Sequence, residues 1–391
     1  MIHSRKIALV SAFPPGKGSL NEYGLHLARG FAERPDVAEV VVLADRLDAP
    51  MAELDLGPKI RVRRVWRFNA LGTPVDLLRA LRSERPDGIV YNLQMASFGD
   101  RELPAALGLC TPLATRLAGL PSGIIAHNLV TGVDLEQTLL KGQPVRQAVV
   151  RAGASLITRA MTGANYMTVT LRSYAETMQA RYPGADISLV PHGTFDTEQR
   201  PWHPLSTRPL KIVTMGKFGT YKRLETLLEA FDRVRKTPGF EGLTLEIGGS
   251  DHPNTPGYMA GLAAARAEDP GVCFRGYLAE EEIPDFFETA RISVFDYETT
   301  TGSSGVLHQT ASYGALPVFP RIGDFVDLCE DEGLTGLHYE PGDVDGMAAA
   351  ILRGLRETDA SEALARANAE AARGMPFAEV IAVHMDKLQA A

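Results

Sequence analysis

Short unbroken apolar runs alternate along this chain with longer stretches whose apolar residues recur every three to four positions. In the first half the short runs fall at 7–10, 40–43, 88–91, 123–126, 166–170 and 187–190, and helical patterns occupy stretches such as 23–32 and 103–117. Runs of four or five β-branched and apolar residues without alternation are what strands buried on both faces require. Strands spaced by helices predict a mostly parallel sheet covered on both sides. The pattern then restarts, with strands at 210–215, 243–247, 272–275, 292–295 and 316–319, and helices at 224–234, 259–267, 280–289, 305–313 and 345–357. Two consecutive series of this kind predict two similar α/β domains. The join, Arg200-Pro201-Trp202-His203-Pro204-Leu205-Ser206-Thr207-Arg208-Pro209, reads as a proline-spaced linker. A last helix over 377–388 puts Phe377, Val380, Ile381 and Leu388 on one face, which must pack on something. The expected division is a first domain over 1–199 with the helix 376–391 returning to it, a linker over 200–209, and a second domain over 210–375.

Composition narrows the class. A chain of 391 residues suits two domains. Hydrophobic residues at 45% and charged residues at 23% exclude a mostly disordered chain. Lys+Arg total 40 against 48 Asp+Glu, and a net charge of −8 argues against a general nucleic-acid binder. Cys110, Cys273 and Cys329 are far apart, match no metal-ligand spacing and cannot form a disulfide framework, which points to a reducing, cytoplasmic setting. The apolar run near the N-terminus is too short for a signal-peptide core, and no run approaches the roughly 20 residues of a membrane span. Residues 141–159 carry Lys141, Arg146, Arg151 and Arg159 among Val145, Val149, Val150, Leu156 and Ile157. A basic amphipathic helix of this kind can lie on an anionic membrane, so peripheral membrane contact is one expectation. Gly142, Pro144 and Gly153 interrupt the pattern, and a solvated helix with one core face is the simpler reading.

Each half opens with a strand, a glycine-bearing loop and a helix. The loops are Pro14-Pro15-Gly16-Lys17-Gly18-Ser19 and Gly216-Lys217-Phe218-Gly219-Thr220-Tyr221-Lys222. Glycine lets backbone N–H groups approach an oxyanion, and a following helix N-terminus favours negative charge. Either loop alone is equally a tight turn that needs glycine for steric reasons.

Taken together the motifs are more specific. The chain resembles the retaining GT-B glycosyltransferases of family 4, the group that includes sucrose-phosphate synthases and many bacterial mannosyl- and glucosyltransferases. The resemblance is carried by Pro14-Pro15, Gly18-Ser19 and Leu27-Ala28, then by Val190-Pro191-His192-Gly193, and by Gly216-Lys217 with Lys222 five residues beyond Lys217. It continues in Phe274-Arg275-Gly276-Tyr277-Leu278, Thr335-Gly336-Leu337 and Pro341-Gly342-Asp343. It covers nearly the whole chain, most clearly 210–355. One departure stands out. The family has two glutamates separated by seven residues; counting back from Gly314 puts Gln309 at the second and Thr301 at the first, with Glu298 slightly upstream.

The resemblance implies an α/β fold of GT-B type, two Rossmann-like domains facing a central cleft, with an acceptor domain first and a nucleotide-sugar domain second. Lys217 and Lys222 would pair with the donor diphosphate, where charge grows as the sugar leaves. Gly216, together with Gly302, Ser303, Ser304 and Gly305 at a helix N-terminus, would offer backbone N–H groups and hydroxyls to phosphate. Gly18 and Ser19 would complete that site from the first domain. Tyr277 and Leu278 would meet the base through their backbone, Gln309 the ribose, and Glu298 the hydroxyls of the transferred sugar. His127 follows a strand in Ile125-Ala126-His127-Asn128, at the edge where open α/β sheets bind ligands, and the resemblance puts it near the reacting carbon. His192 reads as structural. Asp343-Val344-Asp345 opens a late helix and reads as an N-cap, so no catalytic metal and no cofactor are expected.

The expected activity is retaining transfer of a hexose from a UDP- or GDP-linked donor to a hydroxyl acceptor: a sugar, a glycolipid or a small molecule. The altered glutamate pair keeps two rivals open, a non-catalytic nucleotide-sugar-binding or scaffold protein and a GT-B sugar-nucleotide epimerase or phosphorylase. The phosphorylase would typically need a pyridoxal lysine, and none can be placed.

Overall fold

The computed structural model describes residues 4–16, 18–47, 49–129, 144–198, 200–299 and 302–391, and only the backbone of 144–151. The chain divides into two compact units, Met1–Pro191 with Phe377–Ala391, and His192–Pro376.

The described part of the first unit is a parallel sheet in the order β3-β2-β1-β4-β5-β6-β7. Its strands are β1 (Arg5–Val10), β2 (Val37–Asp45), β3 (Ile60–Trp66), β4 (Gly88–Leu93), β5 (Ser122–Ala126), β6 (Tyr166–Val169) and β7 (Ile187–Leu189). Helices α1 (Asn21–Glu33), α2 (Thr73–Glu84), α3 (Glu102–Leu109), α4 (Thr111–Leu117), α5 (Pro144–Met161) and α6 (Arg172–Arg181) connect them. The central strands are buried on both faces, which is why they read as unbroken apolar runs. β3 has no such run. It is an edge strand whose Arg61 and Arg63 reach Glu84 of α2, so its charges lie outward and hide it from hydropathy. Hydrogen bonds from Arg61 lead in holding the Glu84 carboxyl well below the usual range, against the opposing effect of burial. The helix expected over 103–117 is two helices broken at Cys110, because Pro112 has no N–H to continue the ladder. α5 begins at Pro144 and runs through Gly153, so neither residue interrupts it; proline is at home in a first turn. Lys141 and Gly142, and the side chains of Arg146 and Arg151, lie outside the described residues.

The second unit is a parallel sheet in the order β10-β9-β8-β11-β12-β13. Its strands are β8 (Lys211–Phe218), β9 (Thr244–Asp251), β10 (Val272–Gly276), β11 (Ile292–Val294), β12 (Leu316–Pro320) and β13 (Leu337–Tyr339). Its helices are α7 (Glu225–Arg235), α8 (Tyr258–Ala265), α9 (Ile283–Glu288), α10 (Gly305–Ser312), α11 (Gly323–Glu332), α12 (Val344–Arg356) and α13 (Thr358–Arg373). Asp343 caps α12, its Oδ1 accepting the Gly346 N–H at 2.9 Å. α13 shows no apolar stripe in sequence because its buried face is Ser361, Ala365, Asn368, Ala369 and Ala372.

Residues 200–209, expected as a linker, are packed into the second unit. Leu205 is buried in its core, and Trp202 donates its indole N–H to Glu362 and lies under the Arg366 guanidinium. The last helix, α14 (Phe377–Ala390), belongs to the first unit. Its Ile381 and Leu388 fill the space beside Gly30 and Gly88, and His384 Nδ1 lies 3.1 Å from the Tyr166 hydroxyl.

Candidate active site

In the second unit the candidate residues gather at the carboxyl end of the sheet, where β8 and its neighbour β11 turn into α7 and α10. The loop 219–224 between β8 and α7 is pinned to the loop after β11. Lys222 bridges Tyr297 through the backbone, Arg223 N–H donates to the Asp296 carbonyl at 2.9 Å, and Glu298 N–H donates to the Tyr221 carbonyl at 2.8 Å. This fixes the Lys222 ammonium 4.4 Å above the buried Tyr297 ring, with its stem 3.6 Å from where a Gly216 Cβ would stand. Among the described residues no carboxylate lies within ion-pair distance of Lys222. Burial pulls its pKa below the usual lysine value, because a charge leaving water with only an aromatic face to meet it is disfavoured. Gly249 is required behind it: at φ +130° a Cβ there would stand 1.9 Å from the Gly216 carbonyl oxygen. Lys217 is half-buried on β8 and helps to lower the pKa of His252, after burial. Glu298 is exposed and pairs with Arg223 at 3.4 Å.

The segment 302–305 serves its own structure more than expected. Gly302 N–H is held at 2.7 Å by Asp324 of α11, and the Ser304 hydroxyl caps α10 by accepting from Leu307. What it leaves toward a ligand is the N-terminus of α10 at Gly305, with the Ser303 hydroxyl, which is buried without a partner among the described residues. Gln309 sits half-buried one turn further along α10. Thr301 lies outside the described residues. Tyr277 and Leu278 follow β10, two strands from β8. The Tyr277 ring is 65% exposed and the Leu278 side chain is 6% exposed in the core, so only the backbone of Leu278 is left for a ligand. His192 is buried, donates through Nδ1–H to the Gly193 carbonyl, stacks on His308 and lies against Gly305. His308 in turn meets Thr194 at 3.0 Å and Glu332 at 2.9 Å, both deep in the unit.

In the first unit the chemistry also collects at the carboxyl ends of strands. His127 follows β5 and is 7% exposed, against the edge of the Tyr23 ring at 4.4 Å. Its Nε2 lies 2.8 Å from Asn92 Oδ1, and Asn92 Nδ2 donates to the Ser11 hydroxyl and the Leu20 carbonyl. The amide oxygen therefore accepts, and Nε2 carries the proton. Burial pushes the His127 pKa down to about 3, so the ring is a neutral dipole at physiological pH and not an imidazolium acid. The first glycine loop is bound from beneath: Asp45 accepts the Phe13 N–H, and Arg64 donates to the Phe13 and Pro14 carbonyls. Gly18 passes so close to Ala12 that a Cβ would lie 2.7 Å from its methyl, and Ser19 is exposed. The structure thus brings His127 together with the loop that carries Gly18 and Ser19, through Asn92, Ser11 and Leu20.

His384 is buried like His127, also with a pKa pushed down to about 3, mainly by burial. Both folded values lie below the unfolded one, so the unfolded chain binds more protons and stability falls as pH drops from about 6.5 toward 3. At pH 5 each imidazole costs about 2 kcal/mol relative to neutral pH. Urea midpoints at pH 7.5 and 5.0 check this; an unchanged midpoint would mean the rings are not held neutral.

Sequence reading missed Asp296, Tyr297 and Asp324, which hold the loops and make no direct case for themselves as motifs. Asp296 is buried, accepts the Leu227 N–H at the start of α7 at 3.0 Å, and has its pKa raised to about 7, chiefly by burial. Its position after a strand, in Val294-Phe295-Asp296, is a sequence signal for a carboxylate at the ligand edge. Among the described residues no three His, Cys, Asp or Glu side chains converge on a metal position, and no helix is long and apolar enough to cross a membrane.

Comparison with known proteins adds to this geometry. Residues 209–357 match the model of the family described as glycosyl transferases group 1. The sucrose-phosphate synthase of Thermosynechococcus elongatus aligns over 99% of this chain and 98% of its own, at 18% identity and TM-score 0.71. Anabaena HepE in complex with UDP-glucose aligns over 99% and 100%, at 15% identity and TM-score 0.69. The UDP-forming α,α-trehalose-phosphate synthase of Burkholderia xenovorans, in complex with glucose-6-phosphate, aligns over 99% and 100%, at 14% identity and TM-score 0.69. At these identities the likeness establishes the fold, α/β of GT-B type. No curated protein sequence matches the chain.

Proposed function

We propose that this chain, which carries a glycosyl transferases group 1 domain over residues 209–357, is a retaining hexosyltransferase that moves a sugar from a UDP- or GDP-linked donor to a hydroxyl acceptor. The observation that carries this reading is Lys222, a half-buried cation without a carboxylate among the described residues, at the N-terminal approach to α7. A donor diphosphate would supply the missing countercharge. As the bond between the anomeric carbon and the phosphate oxygen breaks, charge grows on the diphosphate. Lys222, Lys217 and the N-termini of α7 and α10 would stabilise it. The complexes of HepE with UDP-glucose and of the trehalose-phosphate synthase with glucose-6-phosphate support a nucleotide-sugar donor and a sugar acceptor. Glu298 is engaged by Arg223, so no carboxylate nucleophile is assigned. The acceptor hydroxyl would attack from the face the nucleotide leaves and pass its proton to the departing phosphate. The acceptor belongs to the first unit, where neutral His127 would stand as a fixed dipole at the sugar end.

Metal independence is part of the proposal, since cations of the chain take the place of a divalent ion. Excess chelator on metal-free enzyme leaves turnover within about twofold; a collapse restored by Mg²⁺ or Mn²⁺ defeats it. His127→Ala lowers turnover at least about tenfold with a smaller change in nucleotide affinity, as loss of one hydrogen-bonding dipole at the reacting end would do. Equal losses for free nucleotide and nucleotide sugar would make His127 structural.

Gln309 in place of a glutamate, with Glu298 ion-paired, favours a second reading as a non-catalytic nucleotide-sugar binder. Nucleotide release from a panel of UDP-, GDP- and ADP-sugars with sugar and sugar-phosphate acceptors decides. Release supports transfer. Tight binding with no release across the panel supports the binder, and an epimerised donor without release identifies an epimerase.

A further inference from the structure

We propose that the first unit docks on an anionic lipid surface through the segments that follow β2, β3 and β4. The proposal is independent of the hexosyltransferase reading, because it concerns where the protein sits and not what it turns over. Its basis is an uneven distribution of exposed apolar side chains. Met51 and Leu54 after β2, Phe68 and Leu71 after β3, Val75 in the first turn of α2 and Leu103 in the first turn of α3 are 42% to 60% exposed. Leu107, one turn beyond Leu103, continues the patch along α3. Leu117 and Leu156 of α4 and α5 are the other large apolar side chains exposed among the described residues of this unit, and in the second unit only Tyr221 and Tyr277 are comparably open.

Hydrogen bonds tie the three segments together at the carboxyl edge of the sheet. Arg46 N–H donates to the Trp66 carbonyl at 2.6 Å, and Glu53 accepts two guanidinium N–H groups from Arg64 of β3, each at 2.8 Å. Asn69 N–H donates to the Phe98 carbonyl at 2.9 Å, and Asn69 Oδ1 accepts the Asp100 and Arg101 N–H groups at 3.0 and 3.1 Å. Scattered exposed leucines need no explanation, whereas apolar side chains collected on adjoining loops mark an interaction surface. Each segment also carries an exposed arginine, Arg46, Arg67 or Arg101, whose side chain has no hydrogen-bond or ion-pair partner among the described residues. Of the described acids on these segments, Glu53 is held by Arg64, Asp76 by Arg79 and Asp100 by Asn69, which leaves Asp55 and Glu102. Apolar side chains beside unpaired guanidinium groups suit the boundary of acyl chains and lipid phosphates. A polar solute would leave the leucines in water. A second copy of the chain, meeting the patch with the same patch, would set arginine against arginine.

Flotation of the whole chain with vesicles tests this without turnover. Wild type floats with vesicles of two parts phosphatidylcholine to one part phosphatidylglycerol and much less with phosphatidylcholine alone, and added salt weakens the binding. Leu71→Ser/Leu103→Ser binds the mixed vesicles at least about tenfold more weakly, with an unchanged melting temperature because both side chains are already in water. Arg67→Gln/Arg101→Gln keeps the apolar patch and loses the preference for phosphatidylglycerol. No flotation of wild type, or flotation of both double variants equal to wild type, would overturn the proposal. So would loss of binding in Arg159→Gln of α5 with none in the two double variants, since the contact would then lie on that helix. A dimer in the absence of vesicles, dispersed by Leu71→Ser/Leu103→Ser, would also overturn it, because a second copy would then cover the patch.

Discussion

Lys222→Ala lowers turnover about 10- to 100-fold or more, with a smaller loss in donor affinity and little change in stability. Charge-assisted hydrogen bonds are worth roughly 1.5–3 kcal/mol, and a factor of ten in rate needs about 1.4 kcal/mol. The interaction strengthens as the leaving diphosphate gains charge, so most of the loss falls on turnover rather than on binding. The stability side follows from the setting of the ammonium. It lies 4.4 Å from the Tyr297 ring and, among the described residues, has no ion-pair partner. A cation–π contact of roughly 0.5–2 kcal/mol is offset by the cost of holding the charge out of water. Lys222→Arg keeps the charge and recovers part of the rate, because the longer, planar guanidinium changes the shape and reach of the cation presented to the diphosphate. Steady-state kinetics of both variants beside their melting temperatures give the answer. Normal turnover of Lys222→Ala on the identified donor would remove the phosphate role and the main support for the donor site.

Arg208→Met destabilises the second unit by about 3 kcal/mol while leaving the kinetic constants of the folded enzyme unchanged. Arg208 is 5% exposed and lies where α9 and α10 end. Its Nε donates to the His203 carbonyl at 3.0 Å, and Nη1 donates to the Ala290 carbonyl at 2.9 Å, with Phe287 and Tyr313 carbonyls at 3.4 Å. A cation suits the negative ends of two helices, and methionine would take the side-chain donor from the His203, Ala290 and Tyr313 carbonyls, while Phe287 keeps the Ala290 N–H. Burial is costly enough to pull even this guanidinium down to about 10, and carboxylates Glu362 and Glu288 oppose that shift. For a unit of this size the loss corresponds to a fall in melting temperature of about 6–12 °C. Thermal and urea unfolding of the variant measure it. A melting temperature within a degree of wild type would return 200–209 to the status of a spacer.

These two residues divide the problem. Lys222 is legible in the chain itself, because its distance from Gly216-Lys217 is a pattern along the sequence, and a charged residue after a strand and before an amphipathic helix points to the ligand edge. Arg208 is not. It lies in a proline-spaced segment that reads as a spacer, and its partners are backbone carbonyls 5 to 105 residues away, which leave no mark in the side chains. The same holds for Asp324, whose bond to Gly302 withdraws an N–H that the loop sequence alone offers to a ligand.

The order of elements, the two-fold repetition of the α/β series and the loops that would carry the chemistry were determined by the sequence itself, because burial on both faces of a parallel sheet imposes apolar runs that need no knowledge of partners. β3 and α13 escaped it for the converse reason. One is an edge whose arginines face outward, and the other buries alanine, serine and asparagine, so neither writes its burial into hydropathy. Only the tertiary structure decided which polar groups are already used. It spends the Ser304 hydroxyl and the Gly302 N–H internally, keeps His127 neutral by burial and orients it through Asn92, and leaves Lys222, Thr170 and Ser173 without such partners among the described residues. Hydrogen bonding and desolvation depend on neighbours distant in sequence, so the identity of a residue names what it could do, and its packing selects what remains for a ligand.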